Sequence, residues 1–135
     1  MLAGIALALC SAQRSTAQST ALAHAGPQPI VRYAANESGG RISIIHATGD
    51  SSAIESIRQE LLEMAAAIRR GDFRRVRIVR TDLPAIRVLS TRSQSIRCIF
   101  RPTARGGELV LLSDDDAVVT AIHQLLAAQP PPSRL

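Results

Sequence analysis

The alternation of hydrophobic and polar residues indicates β-strands in several parts of this 135-residue chain. Between residues 41 and 48, Ile42 and Ile44 alternate with Arg41 and Ser43, as in a strand with one buried face. Apolar and basic residues alternate again later in the chain, and two further stretches are rich in branched or aromatic residues. The pattern therefore predicts four strands, at residues 30–36, 41–48, 95–101 and 108–113.

The longest predicted helix follows the second strand. Ser52 and Glu55 match a capping box, in which each side chain bonds the other residue's free backbone N–H. Gly71 supplies the expected C-terminal stop, since glycine adopts the left-handed conformation that ends many helices. The apolar stripe of this helix consists of Ile54, Ile57, Leu61, Met64, Ala65 and Ile68.

Two further helices are predicted in the second half of the chain. A short helix at residues 83–92 has Asp82 as its expected cap and Pro84 in its first turn, where proline is tolerated. A last helix follows Ser113, and we expect Ser113 together with Asp116 to cap it. Its apolar face consists of Val118, Ile122 and Leu125.

The order of these elements repeats. Each half contains a strand, a turn ending in Gly-Gly, a second strand, an acidic cap and a helix, with Tyr33 six residues before Gly39 and Phe100 six residues before Gly106. One hairpin and one helix bury too little apolar surface to be stable alone. We therefore predict an α+β fold built from a duplicated β-β-α unit, with a four-stranded antiparallel sheet and its helices packed on one face. The predicted single domain spans residues 26–129, with repeat 1 at about 30–70, a basic connector at 71–94, repeat 2 at about 95–129, and a Pro-rich tail at 130–135.

The first 25 residues have the pattern of a signal peptide. A short apolar run, MLAGIALALC, precedes polar and small residues, and Ala23 and Ala25 match the small-x-small cleavage pattern. Cleavage there leaves Cys98 as the one cysteine of an exported, periplasmic or secreted protein with no transmembrane anchor in its mature chain. A cytoplasmic protein with an apolar N-terminus is the alternative.

Charge adds a candidate binding region. The chain carries a formal charge of +5, and all 16 basic residues are arginine. Between Arg69 and Arg105 there are eleven arginines against Asp72 and Asp82, a charge balance that would attract an anionic partner such as nucleic acid, lipid headgroups or an acidic protein. A solvated basic face without a specific ligand is the favoured interpretation of this stretch. The candidate anion-binding residues are Arg69, Arg70, Arg74, Arg75, Arg77 and Arg80.

Residues that could carry chemistry are few. His46 and His123 have no second ligand at metal-binding spacing, so they are weak metal candidates that only the fold could unite. Cys98 alternates with Ile96 and Phe100 and is expected in the core rather than as a nucleophile. No cofactor is expected, and these residues favour a protein that is not an enzyme without excluding one.

From residue 31 to 129 the chain resembles a group of small, uncharacterised bacterial proteins. The shared pattern includes GGRISI, IRQELLEMAAAIRRGDF, TDLPAIRVL and GGELVLLSDDDAVVTAIHQLLAAQ, and some of these proteins carry the label aspartate carbamoyltransferase. The resemblance implies a histidine in the first helix and another before the D-x-P motif. Glu60 and residues near Arg80 occupy those places in this chain, and His123 is retained, so a shared metal-binding ability would be lost.

Ser90, Thr91 and Arg92 spell the start of the carbamoyl-phosphate loop of transcarbamylases. A phosphate loop precedes a helix, because free N–H groups and the positive dipole end then face the anion. Here the three residues end a predicted helix, and Ser93 and Gln94 replace the later threonine and arginine of the motif. The chain is also less than half the length that such an enzyme needs.

Three functions follow from the sequence. The first is an exported, non-enzymatic binding protein, and the second is an Arg-rich anion-binding module. The third, an aspartate carbamoyltransferase-like activity, is disfavoured by the position of the S-T-R motif.

Overall fold

The computed structural model describes residues 27–76, 80 and 82–130. The sheet contains β1 (Ile30–Asn36), β2 (Gly39–Ile45), β3 (Arg97–Thr103) and β4 (Gly106–Leu112), and the helices are α1 (Ser51–Arg69), α2 (Pro84–Thr91) and α3 (Asp116–Ala127). Short 3-10 turns follow α1, at Phe73–Arg75, and α2, at Ser93–Ser95. The predicted signal peptide and residues 131–135 of the predicted tail lie outside the described residues.

All four strands form one antiparallel sheet in the order β1-β2-β4-β3. Its central row runs from Tyr33 through Ile42 and Leu109 to Phe100, and these side chains face the helices. Ile42 and Leu109 are 0% exposed, so the core lies between this face and the helices. The predicted α+β class, with a four-stranded antiparallel sheet and helices on one face, is confirmed.

The two hairpins are related by a local twofold arrangement. The inner strands pair with Gly39 opposite Leu112 and Ile45 opposite Gly106, so each strand begins where the other ends. The same symmetry extends past the strands: the Ser113 N–H donates to the Ser38 carbonyl at 2.9 Å, and the His46 N–H donates to the Arg105 carbonyl at 2.7 Å. This arrangement supports the predicted duplication of a β-β-α unit.

Each main helix covers the hairpin of the other repeat. α1 packs on β3 and β4, whereas α3 packs on β1 and β2. Because neither helix lies mainly on its own hairpin, neither repeat contains a complete core, which is why the two must fold together.

The glycine pairs belong to the inner strands rather than to the turns predicted for them. β2 begins at Gly39 and β4 begins at Gly106, and the turns contain only the two residues before each glycine pair. A Cβ on Gly39 would stand 2.1 Å from the Leu111 carbonyl oxygen, so the close approach of β2 and β4 requires glycine there.

The helix caps differ from the predicted capping boxes. Asp50 caps α1 by accepting from the Ala53 N–H at 2.9 Å, and the Ser52 hydroxyl also donates to it, at 2.8 Å. The Ser52–Glu55 box was therefore wrong: the cap lies two residues earlier, at Asp50, and Ser52 is already inside the helix.

Two other predicted caps were also wrong. Asp115 caps α3, accepting from the Ala117 N–H at 2.9 Å, while the Ser113 hydroxyl donates to the Ser95 carbonyl. α2 has Leu83 at its cap position with no side-chain cap, because Asp82 is engaged by an arginine.

The end of α1 follows the prediction. Gly71 has a φ of 73°, its N–H donates to the Ile68 carbonyl, and the Asp72 N–H donates to the Ala67 carbonyl. These two bonds form the helix-ending motif in which a left-handed glycine satisfies the last carbonyl groups.

Candidate functional site

The predicted anion-binding arginines do not form one free cluster. The Arg69 guanidinium donates from Nη2 to the Cys98 carbonyl oxygen at 2.9 Å and so ties α1 to β3. Arg80 makes a bidentate pair with Asp82 at 3.2 and 2.8 Å, and this hydrogen bonding holds the pKa of Asp82 below its usual value. These two arginines are therefore occupied by their own chain.

The remaining members are more exposed. The Arg74 side chain is 92% exposed, and its Nε lies 3.9 Å from Asp72, at the limit of an ion pair. Arg70 is exposed at the end of α1, with no ion-pair partner among the described residues. The Arg75 side chain and Arg77 lie outside the described residues, so the predicted cluster stays a prediction.

A different surface gathers arginines that the sequence did not single out as a set. We call it the open sheet face, because the described helices pack on the opposite side of the sheet. Strand alternation places on it every second residue of each strand. Its residues are Ile30, Arg32, Ala34 and Asn36 of β1, Gly39, Arg41, Ser43 and Ile45 of β2, Arg97, Ile99, Arg101 and Thr103 of β3, and Gly106, Glu108, Val110 and Leu112 of β4.

One side of the open sheet face contains two facing aliphatic side chains. Ile99 and Val110 lie directly opposite each other on β3 and β4. Ile99 is 39% exposed, whereas Val110 is only 7% exposed and lines a shallow depression with Arg41, Arg101 and Glu108. The exposed apolar surface here is therefore mainly Ile99, which lies on the outer strand β3 between Arg97 and Arg101.

The acidic residue of this face is partly neutralised. Glu108 Oε1 accepts from the Ser43 hydroxyl at 3.3 Å and lies 3.6 Å from Arg41 Nη1. The outer strands carry Arg32 and Arg101 in the same cross-strand row as Glu108, and neither has an ion-pair partner in the part of the chain that the structure describes. The face therefore has a positive balance with two free guanidinium groups at its sides.

Aromatic side chains are absent from this face. Tyr33 and Phe100 are half-buried on the helix-covered side, Phe73 is 2% exposed, and these are all the aromatic residues of the chain. Burial also raises the pKa of Tyr33. All three aromatic side chains therefore lie in the core or against it, which leaves no platform for stacking nucleic-acid bases.

The two candidate metal-binding histidines stand at opposite ends of β2. His46 is 8% exposed, with Nδ1 3.2 Å from the Thr48 hydroxyl, and follows the last residue of the strand. His123 Nε2 lies 2.7 Å from the carbonyl oxygen of Asn36, which is paired with the first residue of β2. Across the described ranges, no group of three His, Cys, Asp or Glu residues could hold a metal ion.

The contact of His123 has a counterpart in the other repeat. The Arg58 guanidinium, on α1, donates to the Thr103 carbonyl at 2.8 Å, just as His123 on α3 contacts Asn36. Thr103 and Asn36 are the last residues of the two outer strands, so both side chains fasten a helix to a strand end. Aligning Ile57 with Ile122 in the repeat also aligns Arg58 with His123, a signal that could have revealed this role.

Cys98 and the S-T-R motif take structural positions. Cys98 is 7% exposed, and burial raises the pKa of its thiol to about 11, which opposes formation of the nucleophilic thiolate. α2 ends at Thr91, so the motif lies at a helix C-terminus, as predicted. Arg92 donates from Nη1 to Asp115 Oδ2 at 2.8 Å and links the end of α2 to the start of α3.

Comparison with known proteins adds no relative. No protein-family model, curated protein or solved structure matches this chain. Within the described residues, no helix has both the length and the apolar character needed to cross a membrane.

Proposed function

We propose that this chain is a small exported binding protein, not an enzyme, and that it recognises its partner through the open sheet face. The observation that carries the proposal is the exposed Ile99 on a face that the helices leave uncovered, together with the free guanidinium groups of Arg32 and Arg101 on the same face. Binding surfaces combine exposed apolar side chains with a polar border, and arginine is enriched in them.

The candidate chemical groups support a binding role. The Cys98 thiol is buried with a raised pKa, and His46 and His123 each contact a neighbouring group of the fold. Export is supported by the apolar run at residues 2–9 and by Ala23 and Ala25.

Site-specific photo-crosslinking tests the binding role. Ile99 and Leu62 are the two exposed large hydrophobic residues of the described chain, 39% and 45% exposed, and Leu62 lies on α1 away from the sheet. A photoreactive amino acid at Ile99 should give a discrete cross-linked product in the producing cells, while the same group at Leu62 should not. Products from Leu62 alone, or from neither position, would refute the proposal.

Mass spectrometry tests export independently. The protein recovered from an export-competent host should begin near Gly26. A chain that still begins at Met1 in that host contradicts export without affecting the proposed binding face.

The anion-binding module is a second candidate, favoured by the exposure of Arg70 and of the Arg74 side chain at the end of α1. It predicts salt-dependent binding to DNA or acidic vesicles, because phosphate contacts release counterions. The R70E/R74E variant should then bind more weakly than the original chain. No retention on either probe at moderate salt excludes this second candidate.

A further inference from the structure

The two outer strands of the sheet differ in how their free edges are covered. The edge of β3 is closed by its own chain, whereas no described residue outside the sheet bonds the backbone groups of Val31 and Ala35 on β1. We propose that β1 pairs antiparallel with β1 of a second copy of this chain, which joins the two four-stranded sheets into one continuous sheet. The edge of β1 is separate from the open sheet face, so this pairing is independent of the proposed function.

The register of the first hairpin decides which backbone groups of β1 point outward. A two-residue turn joins β1 to β2 and closes at Asn36 and Gly39, so these two residues form a hydrogen-bonded pair. Hydrogen-bonded and non-hydrogen-bonded pairs alternate along an antiparallel ladder. Val31 and Ala35 therefore direct their N–H and C=O groups away from β2, toward the free edge.

The matching positions of β3 are blocked. Pro102 corresponds to Ala35 in the repeat, and proline has no N–H to donate. The Cys98 carbonyl corresponds to that of Val31, and it accepts from Arg69 Nη2 at 2.9 Å. Proline and covering groups are common protections of edge strands against pairing with another chain. Within the described part of the chain, β3 has these protections and β1 has neither.

The protection of β3 also selects which strand of a second copy can pair with β1. Pairing of β1 with β3 would meet Pro102 and the Cys98 carbonyl that Arg69 already holds. Such head-to-tail contacts would also leave a free edge at each end of the assembly, and further copies would add to it. Pairing of β1 with β1 uses the same surface on both copies and closes at two chains.

The sequence of β1 is compatible with pairing to itself. With the twofold axis at Tyr33, all seven residues of the strand are paired, and Val31 of each copy lies opposite Ala35 of the other. Each such pair exchanges two backbone hydrogen bonds. Arg32 is the only charged residue of β1, and in this register it lies opposite Ala34 of the second copy. The register therefore avoids placing like charges directly opposite each other, which is destabilising.

Apolar side chains at this edge would gain burial from the pairing. Val31 and Tyr33 pack against the core but are only half-buried. In the continuous sheet, Val31 lies beside Ala35 of the second copy on the helix-covered side. Apolar surface of both chains is then removed from water, which favours association.

The first test measures the mass of the full chain by sedimentation equilibrium, with Ala35→Pro as the test variant. Pro102 shows that this fold accepts proline at the matching position of β3. The original chain should sediment as two chains, and Ala35→Pro should raise the dissociation constant at least about a hundredfold, since each copy loses a donor and leaves an acceptor unpaired. Ala35→Val keeps the N–H and suits a strand, so it should change the dissociation constant less than about threefold.

Disulfide formation tests the register without blocking the edge. Arg32 and Ala34 of the second copy would form a non-hydrogen-bonded pair with Cα atoms about 4.5 Å apart, within reach of a disulfide. A mixture of Arg32→Cys and Ala34→Cys chains, both carrying Cys10→Ser, should give a product with one chain of each kind. Ala34→Cys alone should give much less, because its two copies stand on a diagonal of about 7–8 Å. Cys98 is 7% exposed, with its thiol pKa raised to about 11, and should react little.

Four results would overturn the inference. These are the mass of one chain at every concentration, an unchanged dissociation constant in Ala35→Pro, an assembly larger than two chains, or faster coupling of Ala34→Cys with itself than with Arg32→Cys. If Ala35→Pro loses the native circular dichroism spectrum, the disulfide experiment decides. Photo-crosslinking at Ile99 reports on the open sheet face alone, so its failure beside a two-chain mass contradicts the proposed function and leaves the β1 pairing intact.

Discussion

Replacing Gly39 with alanine should destabilise the domain much more than the same replacement at Gly49. Gly39 has a φ of 146°, and an added Cβ would lie 2.1 Å from the Leu111 carbonyl oxygen and 3.0 Å from its carbon. Gly49 has a φ of 75°, but the nearest atom to its Cβ would be Arg105 Cδ at 4.0 Å. The two variants therefore share a strained backbone conformation and differ in the collision.

The expected difference can be worked out from these contacts. A positive φ costs roughly 1–2 kcal/mol for alanine, and this is the whole cost at Gly49. At Gly39 the obstacle is backbone of the paired strand, which no rotamer change can move, so β2 and β4 must separate locally. Each ladder hydrogen bond lost there costs about 1 kcal/mol, and more if its groups stay buried, which brings the total to about 3–5 kcal/mol.

Urea unfolding followed by far-ultraviolet circular dichroism measures both variants, since the chain has no tryptophan. Gly106→Ala provides a replicate, because its Cβ would stand 2.0 Å from the Ile44 carbonyl oxygen across the same strand pair. If Gly39→Ala and Gly49→Ala lower the free energy of unfolding equally, the two inner strands are not held as closely as described and the reasoning fails.

Three further predictions concern the core, the thiol and a cap. Leu109→Ala should lower the free energy of unfolding by about 2–5 kcal/mol, because the Leu109 side chain is 0% exposed. Leu62 is 45% exposed, so Leu62→Ala should change the free energy of unfolding by less than about 0.5 kcal/mol. Similar losses in the two variants contradict the placement of Leu109 in the core. Cys98, with its thiol pKa raised to about 11, should react with a thiol reagent at pH 8 far more slowly in the folded protein than in urea, and rapid native reaction contradicts its burial. The hydrogen bond from the Arg92 guanidinium lowers the pKa of Asp115, so the Asp115 carboxylate stabilises the fold above the usual aspartate pKa of about 4, and this contribution is lost as pH falls through the lower folded value. In urea unfolding, the original chain should have a larger free energy of unfolding than Asp115→Asn at neutral pH, and the difference should vanish in acid. A difference that does not change with pH contradicts this prediction.

Much of the fold could be predicted because the repeat is visible in local spacing. Tyr33 and Phe100 stand at matching distances from Gly39 and Gly106, and these four residues do occupy matching places in the two hairpins. The errors occurred where neighbouring residues compete for one position. Asp50 lies two residues before Ser52, and only the actual first turn of α1 decides which side chain caps it.

The candidate site was harder to predict, because the availability of an arginine depends on distant residues. Arg69 lies in the densest basic segment, yet its guanidinium is bound to the Cys98 carbonyl of another strand. Arg32 and Arg101 lie far apart in the chain, and they come to lie on the same face only because β1 and β3 are the two outer strands of one sheet.

The sequence by itself determined the elements, their duplication and the inward-facing residues, because hydrophobic periodicity depends on positions within a few residues of one another. Only the tertiary structure decided that each helix covers the other repeat's hairpin and which guanidinium groups remain free. Those outcomes depend on contacts between residues remote in the chain, such as Arg92 with Asp115 and His123 with Asn36. Local periodicity does not depend on such distant partners, so the open sheet face could be recognised only from the assembled sheet.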